Sequence, residues 1–436
     1  MKHRLEIYYL NRENITRILN NIRGRRELFK KEIEDNVAKI VEDVRKRGDK
    51  ALIDYTKAFD NMILSKNGIK VGRDEIDDAY NHVDRTQIDA LKTLKENIER
   101  VEKENFNRMF FEIENDGFKI VQTLKPLESV GCYVPGGEAS YPSTLLMATV
   151  PAKVAGVNRI VVVSPPKKMS PTLLVAADLA GVNEIYRVGG VQAIAALAYG
   201  TETIRPVDKI VGPGGTYVSI AKAVVSHDVP IDMLAGPSEL VVYADEESDP
   251  KQIVLDLIAQ AEHSSDTLCG LVTTSSKLIE KVLDCMREYL PVAFRKDIVT
   301  VSIEGNGFIV LAEDEKIAVE FINRLSPEHL EIFSKDYKRL LEEIENVGAI
   351  TVNGSSVLTD YYCGINHILP TNGQAKFRGG LSCLDFVKVV RAVIAPVNYS
   401  IKTFSVVNQL GACEGLLNHV KSLNAKMSAG DKCRQN

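Results

Sequence analysis

The side chains best suited to chemistry in this sequence are histidines that stand close to amides or acids. Gln260 and His263 are three residues apart at the end of a predicted helix, and side chains at positions i and i+3 of a helix project to the same side. Both could therefore bind one metal ion. Zinc accepts imidazole nitrogen readily, whereas an amide oxygen is an uncommon ligand, and a pair of this kind is often structural. The spacing alone leaves metal binding and packing both open.

A second pair, Glu328 and His329, lies in the segment LSPEHLEIF. The two residues follow Pro327 and precede an apolar run, which predicts a turn that leads into a strand. An acid and an imidazole at the edge of a strand could share the work of general base and water activation, because the pKa of each can be tuned towards neutrality. The alternative is a turn in which Glu328 caps a backbone N–H. This segment alone does not decide between them.

Two further segments combine ionisable residues with residues that form turns. TDYYCGINHILPTNG, residues 359–373, contains Asp360 and His367 in a pattern too irregular for a long helix or strand. Loops of this composition often carry function. EGLLNHV places Glu414 and His419 five residues apart near the C-terminus. On one helix their side chains would lie about 140° apart, so they could share a site only loosely.

Alternating strands and helices are predicted from about Phe118 onward. Short apolar runs alternate with amphipathic segments, which is typical of a parallel sheet covered by helices. AGVNRI at 155–160 recurs as AGVNEI at 180–185, and a period of 25 residues fits one helix and one strand. A second series begins at ELVVYAD and continues through TLCGLVTT, GFIVLA, HLEIF and AITVNG. We therefore expect an α/β fold with two adjoining, incomplete Rossmann-like parallel-sheet domains.

Helices are predicted on both sides of these domains. Apolar residues recur at every third or fourth position in one N-terminal stretch, namely at Ile33, Val37, Ile40, Val41 and Val44. This spacing indicates a helix with one buried face. Gly48 is expected to end that helix, and most of the N-terminal helical region is interpreted as a packing layer or a dimer arm without chemistry. After Gly380 the strand pattern weakens, which predicts a C-terminal helical tail.

The segment DKIVGPGG, residues 208–215, ends a predicted strand just before a helix that begins near Thr216. A glycine-rich junction of this kind lets backbone N–H groups approach an anion such as a phosphate. The chain lacks the G-x-G-x-x-G spacing followed by an acidic residue about twenty positions later. The junction is therefore weak evidence for a dinucleotide when it is considered alone.

Composition excludes several classes of protein. The 436 residues are 45% apolar and 26% charged, which is typical of a folded globular protein and not of a disordered one. A net charge of −5 and the absence of a Lys/Arg block argue against nucleic acid as a partner. No stretch approaches the roughly 20 apolar residues that cross a membrane, so we expect no membrane partner and a cytoplasmic location. The seven cysteines lie far apart without a Cys-x-x-Cys pair, which predicts free thiols.

Taken together and in this order, the segments resemble the histidinol dehydrogenase family. The resemblance extends from VAKIVEDVRKRGDKALIDYTKAFD to EGLLNHV, and it is densest in VGCYVPGG, GGVQAIAALAYGTE, AGPSELVVYAD, DLIAQAEH, LSPEHLEIF and DYYCGINHILPTNG. It implies an enzyme that depends on zinc (Zn²⁺) and NAD⁺. Such an enzyme oxidises L-histidinol through L-histidinal to L-histidine, the final step of histidine biosynthesis.

The resemblance also implies roles for individual residues. His329 matches the general base of the family, and Glu328 matches the residue that activates water on the aldehyde. The implied zinc ligands are Gln260, His263, Asp360 and His419, the last supplied by the other subunit of a homodimer with shared active sites. Substrate contacts are implied for the four ligands and for Ser238, His329, His367 and Glu414. NAD⁺ contacts are implied for Tyr133, Gln192 and the position of Gly215.

The domain boundaries expected from the resemblance are a 1–25 arm, a zinc and substrate domain from 26–129 plus 236–380, an NAD⁺ domain from 130–235, and a 381–436 tail exchanged in the dimer. One departure is clear, because the family commonly has Gly-Pro-Gly-Asn where this chain has Gly-Pro-Gly-Gly ending at Gly215. A paralogue that oxidises another polar alcohol with zinc and NAD⁺ is therefore an alternative. A zinc-stabilised binding protein without catalysis is a second one, which the presence of Glu328, His329 and Asp360 argues against.

Overall fold

The computed structural model describes residues 5–24, 31–136, 140–182 and 184–432. Contacts divide the chain into a large unit, Met1–Lys103 with Leu127–Phe386, and a small unit, Glu104–Pro126 with Val387–Asn436. Within the described residues, no helix has the length and apolar character needed to cross a membrane. The cysteines of the described part are free, as expected, and Cys433 lies outside it.

The described residues form strands and helices that are numbered in chain order. The strands are β1 (Glu6–Leu10), β2 (Phe111–Asn115), β3 (Phe118–Pro126), β4 (Ser129–Tyr133), β5 (Arg159–Val163), β6 (Glu184–Tyr186), β7 (Ile210–Val211), β8 (Glu239–Ala244), β9 (Leu268–Thr273), β10 (Phe308–Ala312), β11 (His329–Phe333), β12 (Ala349–Val352) and β13 (Val387–Ile394). The helices are α1 (Ile15–Arg23), α2 (Lys31–Arg47), α3 (Asp49–Asp60), α4 (Arg73–Ala79), α5 (Arg85–Asn107), α6 (Pro142–Val154), α7 (Pro171–Leu179), α8 (Gly190–Tyr199), α9 (Thr216–Val225), α10 (Pro250–Ala261), α11 (Ser276–Tyr289), α12 (Lys296–Asn306), α13 (Glu315–Leu325), α14 (Tyr337–Glu343), α15 (Val357–Tyr361), α16 (Ile401–Cys413) and α17 (Leu417–Lys432).

The large unit contains two parallel sheets, as the sequence predicted. The first has the order β1-β10-β9-β8-β11-β12, and helices cover both of its faces. Side chains of β8 alternate between two cores: Val241 and Tyr243 pack with α1 and α13, whereas Leu240 and Val242 pack with α10, α11 and α12. Burial on both faces explains why such strands have nearly continuous apolar sequences. Strand β1, at the edge of this sheet, was not predicted.

The second parallel sheet has the order β6-β5-β4-β7. The predicted N-terminal helix is α2, and its residues Val37, Val41 and Val44 are buried in the core of this sheet together with α8 and α9. The helix prediction from apolar spacing is therefore confirmed. The two copies of AGVN confirm the predicted repeat, because one precedes β5 and the other precedes β6. These two strands pair in parallel.

The small unit contains a three-stranded antiparallel sheet, β13-β3-β2. The C-terminal segment is helical in α16 and α17 as predicted, but it begins with β13, a strand that the sequence did not predict. Val387 of β13 pairs with Pro126 of β3, so the partner lies more than two hundred residues away in the chain. Most side chains of β13 and all of β2 are exposed in the single chain, and the alternation that marks a half-buried strand is absent.

Candidate active site

A cavity of about 290 Å³ in the large unit brings together most of the residues singled out from the sequence. It opens at the amino ends of β8, β9 and β11 and faces the loops that follow β4 and β7. The predicted residues that line it are Gly215, Ser238, Gln260, His263, Glu328, His329, Asp360 and His367. Acid, imidazole and amide groups from distant segments therefore meet in one pocket.

Glu328 and His329 stand side by side at the start of β11, as predicted. Both are buried, with 8% and 4% of their surface exposed. The Glu328 Oε2 atom accepts a hydrogen bond of 2.8 Å from the backbone N–H of Glu239. Glu328 therefore does cap a backbone N–H, but on the neighbouring strand β8, and its carboxyl still lines the cavity.

Glu239 supports this site from the neighbouring strand, and the sequence reasoning missed it. Its Oε2 atom accepts a 3.2 Å hydrogen bond from the backbone N–H of Glu328, and its Oε1 atom accepts one of 3.0 Å from Asn372. The reciprocal bonds fix the start of β11 against β8. The available signal was a charged residue at the head of the otherwise apolar strand ELVVYA, because buried charges are rare unless they are hydrogen-bonded.

The imidazole of His329 is held in its neutral form. Burial is the largest cause and lowers its pKa to about 4, while the charge of Asp360 opposes this and the neighbouring His367 and His263 add to it. A neutral imidazole can accept a proton at physiological pH. His329 therefore has the protonation state that a general base requires.

Asp360, on α15, lies among three histidines. Its Oδ1 atom is 3.5 Å from Nδ1 of His367, and Nε2 of His367 is 3.1 Å from the hydroxyl of Thr144. Burial would raise the pKa of Asp360, but the hydrogen bond with His367 and the surrounding imidazoles of His329 and His263 lower it overall. Asp360 is therefore a carboxylate, the form that binds a cation.

Gln260 and His263 lie at the end of α10 as predicted. Gln260 is 3% exposed, and burial lowers the pKa of His263, so the imidazole is neutral and its nitrogen is available to a metal. In the part of the chain that the structure describes, no three His, Cys, Asp or Glu side chains come close enough to hold a metal ion. The imidazole of His263 and the carboxylate of Asp360 line the same cavity, and the amide oxygen of Gln260 is a third potential metal ligand there.

The loop before α9 forms the other wall of the cavity. Pro213, Gly214, Gly215 and Thr216 line it, and Gly215 is the N-cap of α9 with φ −67°. Gly212 has φ +112°, and a Cβ atom there would lie 2.1 Å from the carbonyl oxygen of Tyr133, so only glycine fits. The N-terminus of α9, where the first backbone N–H groups have no partner within the helix, therefore borders the cavity.

A buried ion pair behind this loop was also missed by the sequence reasoning. Lys222 of α9 pairs with Asp232, and both are almost fully buried. Lys222 donates to the Gly212 carbonyl at 2.9 Å, and Asp232 accepts from the Gly212 N–H at 2.7 Å. The pair therefore fixes the turn of the glycine loop from inside the protein. A lysine within the apolar helix TYVSIAKAVV was the signal.

Tyr133 and Gln192 do not line this cavity. Tyr133 is the last residue of β4 and Gln192 is in the first turn of α8, and the Gly190 N–H donates to the Tyr133 hydroxyl at 3.2 Å. Gln192 is 1% exposed, and among the described residues its Oε1 atom has no hydrogen-bond partner. An unpaired buried oxygen at the carboxyl end of a parallel sheet suits a bound ligand with a donor group.

Glu414 and His419 belong to the small unit and are exposed in the single chain. The assumption that one helix carries both is wrong. Glu414 is the C-cap of α16, Gly415 follows with φ +69°, and His419 is in α17. The glycine changes the chain direction between them, so the angle expected for one helix does not apply.

Comparison with known proteins identifies the family. The family model described as histidinol dehydrogenase matches residues 23–427. The histidinol dehydrogenase of Clostridium acetobutylicum is 44% identical over 404 residues, which cover 91% of this chain and 92% of the relative. That of Methanocaldococcus jannaschii is 40% identical over 97% of this chain and 98% of its own length. A crystal structure of histidinol dehydrogenase from Elizabethkingia anophelis matches with a TM-score of 0.92 and 30% identity, covering 98% of this chain and 99% of that one. The chain therefore belongs to the histidinol dehydrogenase family and is a dehydrogenase.

Proposed function

We propose that this enzyme carries out the zinc-dependent, NAD⁺-linked oxidation of L-histidinol through L-histidinal to L-histidine, a four-electron reaction. One observation carries the proposal. The neutral base His329 and the carboxyl of Glu328 stand side by side in the same cavity as Gln260, His263 and Asp360. Proton-transfer groups and metal donors thus face one small-molecule pocket, which is the combination that this reaction needs.

Gln260, His263 and Asp360 would hold the zinc ion, together with His419 of the partner subunit in a homodimer. The donor set fits the ion, because His263 is neutral and Asp360 is anionic, the forms that bind a metal. When bound, zinc would anchor the imidazole and amino groups of the substrate. Ser238 and His367 line the same cavity and would contact the substrate. Glu414 is a further proposed contact.

The two oxidations use His329 and Glu328 in turn. In the first, His329 removes the proton of the substrate hydroxyl as hydride leaves the adjacent carbon. In the second, Glu328 takes a proton from the water that attacks the aldehyde carbon, and the hydrate then loses hydride and a proton, with His329 again as the base. Retention of the aldehyde in a buried cavity prevents its escape and its side reactions.

NAD⁺ would accept hydride in each oxidation. The N-terminus of α9 suits its phosphates, because free N–H groups and the helix dipole favour an anion. Tyr133 and Gln192 are proposed contacts, and the unpaired Oε1 atom of Gln192 suits a donor on the nucleotide. Gly215 occupies the third position without a side chain to donate.

The test is to follow NADH production with L-histidinol while the amount of alcohol consumed is measured. We expect two NADH per L-histidinol and L-histidine as product. A ratio of one, with aldehyde released, would contradict the two-step proposal. Turnover of another amino alcohol or a diol, with none of L-histidinol, would favour the paralogue that the change at Gly215 suggests.

A further inference from the structure

Strand β11 carries a carboxyl in a position where its neighbours are apolar. Side chains along a strand alternate between faces, so Glu331 is on the same face as His329, two residues earlier. Glu331 is fully buried. In register it stands opposite Val242 of β8 and Thr351 of β12, and Val242 belongs to the apolar core formed with α10, α11 and α12. Glu331 therefore lies inside the protein, beneath the cavity.

The partners of Glu331 come from two other elements. Its Oε1 atom accepts a 2.6 Å hydrogen bond from the backbone N–H of Ser356, the N-cap residue of α15. Among the described residues its Oε2 atom is buried and has no hydrogen-bond partner, and the Asp256 carboxyl on α10 lies close enough to interact with the Glu331 carboxyl. Asp256 is 4% exposed, and its two oxygens accept from the Gln252 amide at 3.0 and 2.9 Å.

Charge balance decides the protonation of these two carboxyls. Among the described residues, neither acid forms an ion pair with a cationic side chain, and the neighbours in the sheet, Val242 and Thr351, are uncharged. Asp256 is the charged side chain that acts on Glu331. Burial, and next the charge of Asp256, raise the pKa of Glu331 to about 8. Two adjacent buried carboxyls cannot both ionise without a large cost, so one retains its proton at neutral pH.

The three elements that meet at these carboxyls are the ones that carry site residues. On α10, Asp256 lies one helical turn before Gln260. On β11, Glu331 lies two residues after His329. On α15, the Asp360 N–H donates to the carbonyl of Ser356 at 3.2 Å, so the residue bound to Glu331 is one turn from Asp360. We therefore expect a change in the carboxyl pair to affect the positions of Gln260, His329 and Asp360 together.

We propose that Asp256 and Glu331 share one proton, and that the resulting hydrogen bond ties α10, β11 and α15 together beneath the active site. Both acids are then positioning residues that touch neither substrate nor cofactor. The catalytic consequence rests on the proposed function, whereas the shared proton does not. Outer residues that orient metal donors often affect metal affinity tenfold or more.

The shared proton is tested by thermal unfolding of the metal-free protein between pH 5 and 9. The folded pKa of Glu331 is raised above its unfolded value, so this proton stabilises the fold at low pH and that contribution is lost as pH rises towards 8. Glu331→Gln keeps a neutral donor at all pH values. We therefore expect its Tm relative to the wild type to rise by about a few degrees from pH 5 to 9.

Two further variants complete this experiment. Asp256→Asn removes the facing charge and should give a change in the same direction, but a smaller one. Glu280→Gln, at an exposed position of α11, should unfold in parallel with the wild type at every pH. Parallel curves for Glu331→Gln and the wild type would overturn the shared proton.

The positioning role is tested by zinc titration and by kinetics with L-histidinol. Glu331→Met keeps the volume but leaves the Ser356 N–H and Asp256 without their partner, so we expect zinc affinity and kcat to fall about tenfold or more, with KM for NAD⁺ unchanged. Glu331→Gln should stay within about threefold of the wild type, because its amide can make both hydrogen bonds. Asp256→Leu replaces Glu331→Met if the latter does not fold.

The outcomes separate this inference from the proposed function. Equal zinc affinity in Glu331→Met and Glu331→Gln would refute positioning, whatever the substrate is. If the wild type does not oxidise L-histidinol, the proposed function fails, while zinc affinity and the pH dependence of Tm still decide the role of the carboxyl pair.

Discussion

The glycine loop before α9 allows a direct test of how the nucleotide binds. Gly215 occupies the position where the family commonly has asparagine, and we predict that Gly215→Asn strengthens NAD⁺ binding. The backbone permits the change, because φ −67° and ψ 179° are ordinary values for an N-cap residue. A Cβ atom built at Gly215 meets nothing within 4 Å. Asparagine is moreover a favoured N-cap residue, better than glycine by a few tenths of a kcal/mol.

The size of the effect follows from one added hydrogen bond. A neutral hydrogen bond contributes about 0.5–1.5 kcal/mol, which corresponds to a roughly twofold to tenfold lower Kd for NAD⁺. No strain opposes this gain. The backbone at residue 215 is not left-handed, and the space around it is open to a side chain. The turn itself remains fixed by Lys222 and Asp232 through Gly212.

The assay is the KM for NAD⁺ at saturating L-histidinol, together with NAD⁺ titration of the free enzyme. Gly215→Ala is the matched control, because it adds the Cβ atom without the amide. We expect the asparagine variant to have the lower KM and Kd of the two, with Tm close to that of the wild type. Equal values in the two variants, both folded, would show that the amide makes no contact and that the nucleotide does not approach Gly215.

Three further predictions concern the catalytic pair and the metal. Glu328→Gln should abolish oxidation of L-histidinal most strongly, since it removes the water activator, whereas His329→Asn should slow both oxidations; normal use of L-histidinal by Glu328→Gln would refute the assignment. The native enzyme should contain one zinc per subunit. Acidification should release the zinc, because protonation of His263 occupies the nitrogen that binds the metal. Elemental analysis that finds an active, metal-free enzyme would contradict this. A Glu328→Gln, His329→Asn double variant refolded with an equal amount of His419→Ala should recover roughly a quarter of wild-type activity. Half of the dimers are then mixed, and each mixed dimer has one intact site of two. No recovery in mixed dimers verified by mass spectrometry would exclude His419 as a ligand from the partner.

Local patterns predicted the elements that carry the site. The apolar spacing before His263 gave α10, and the run after Glu328 gave β11, because both signals depend on neighbours within a few residues. The glycine junction at 212–215 likewise predicted the start of α9. Family resemblance then selected chemistry that spacing alone left open, such as the choice between packing and metal binding for Gln260.

The position of the cavity could not be predicted from strand patterns. In open parallel sheets, ligands usually bind at the carboxyl ends of strands. Here Glu328 and Ser238 precede β11 and β8, so they lie at the amino ends of the first sheet, while Gly215 follows β7 of the second. Only the packing of two sheets within one unit brings these opposite ends together, and that packing depends on contacts between residues far apart in the chain. The same lack of local information concealed β13.

Charged residues inside apolar runs are the strongest sequence signal for the buried polar groups that support the site, and the sequence predictions did not include them. Glu239 begins ELVVYA, Lys222 interrupts an apolar helix, and Glu331 stands between leucine and isoleucine in HLEIF. Each is buried, and each is hydrogen-bonded to the backbone or to a side chain of a segment that borders the cavity. A buried charge costs several kcal/mol unless it is paired, so such a residue requires a partner. Sequence identifies the residue that needs a partner, but only the fold supplies the Ser356 N–H for Glu331 or Asp232 for Lys222. The polar groups beneath the active site were therefore detectable one by one, and their arrangement required the structure.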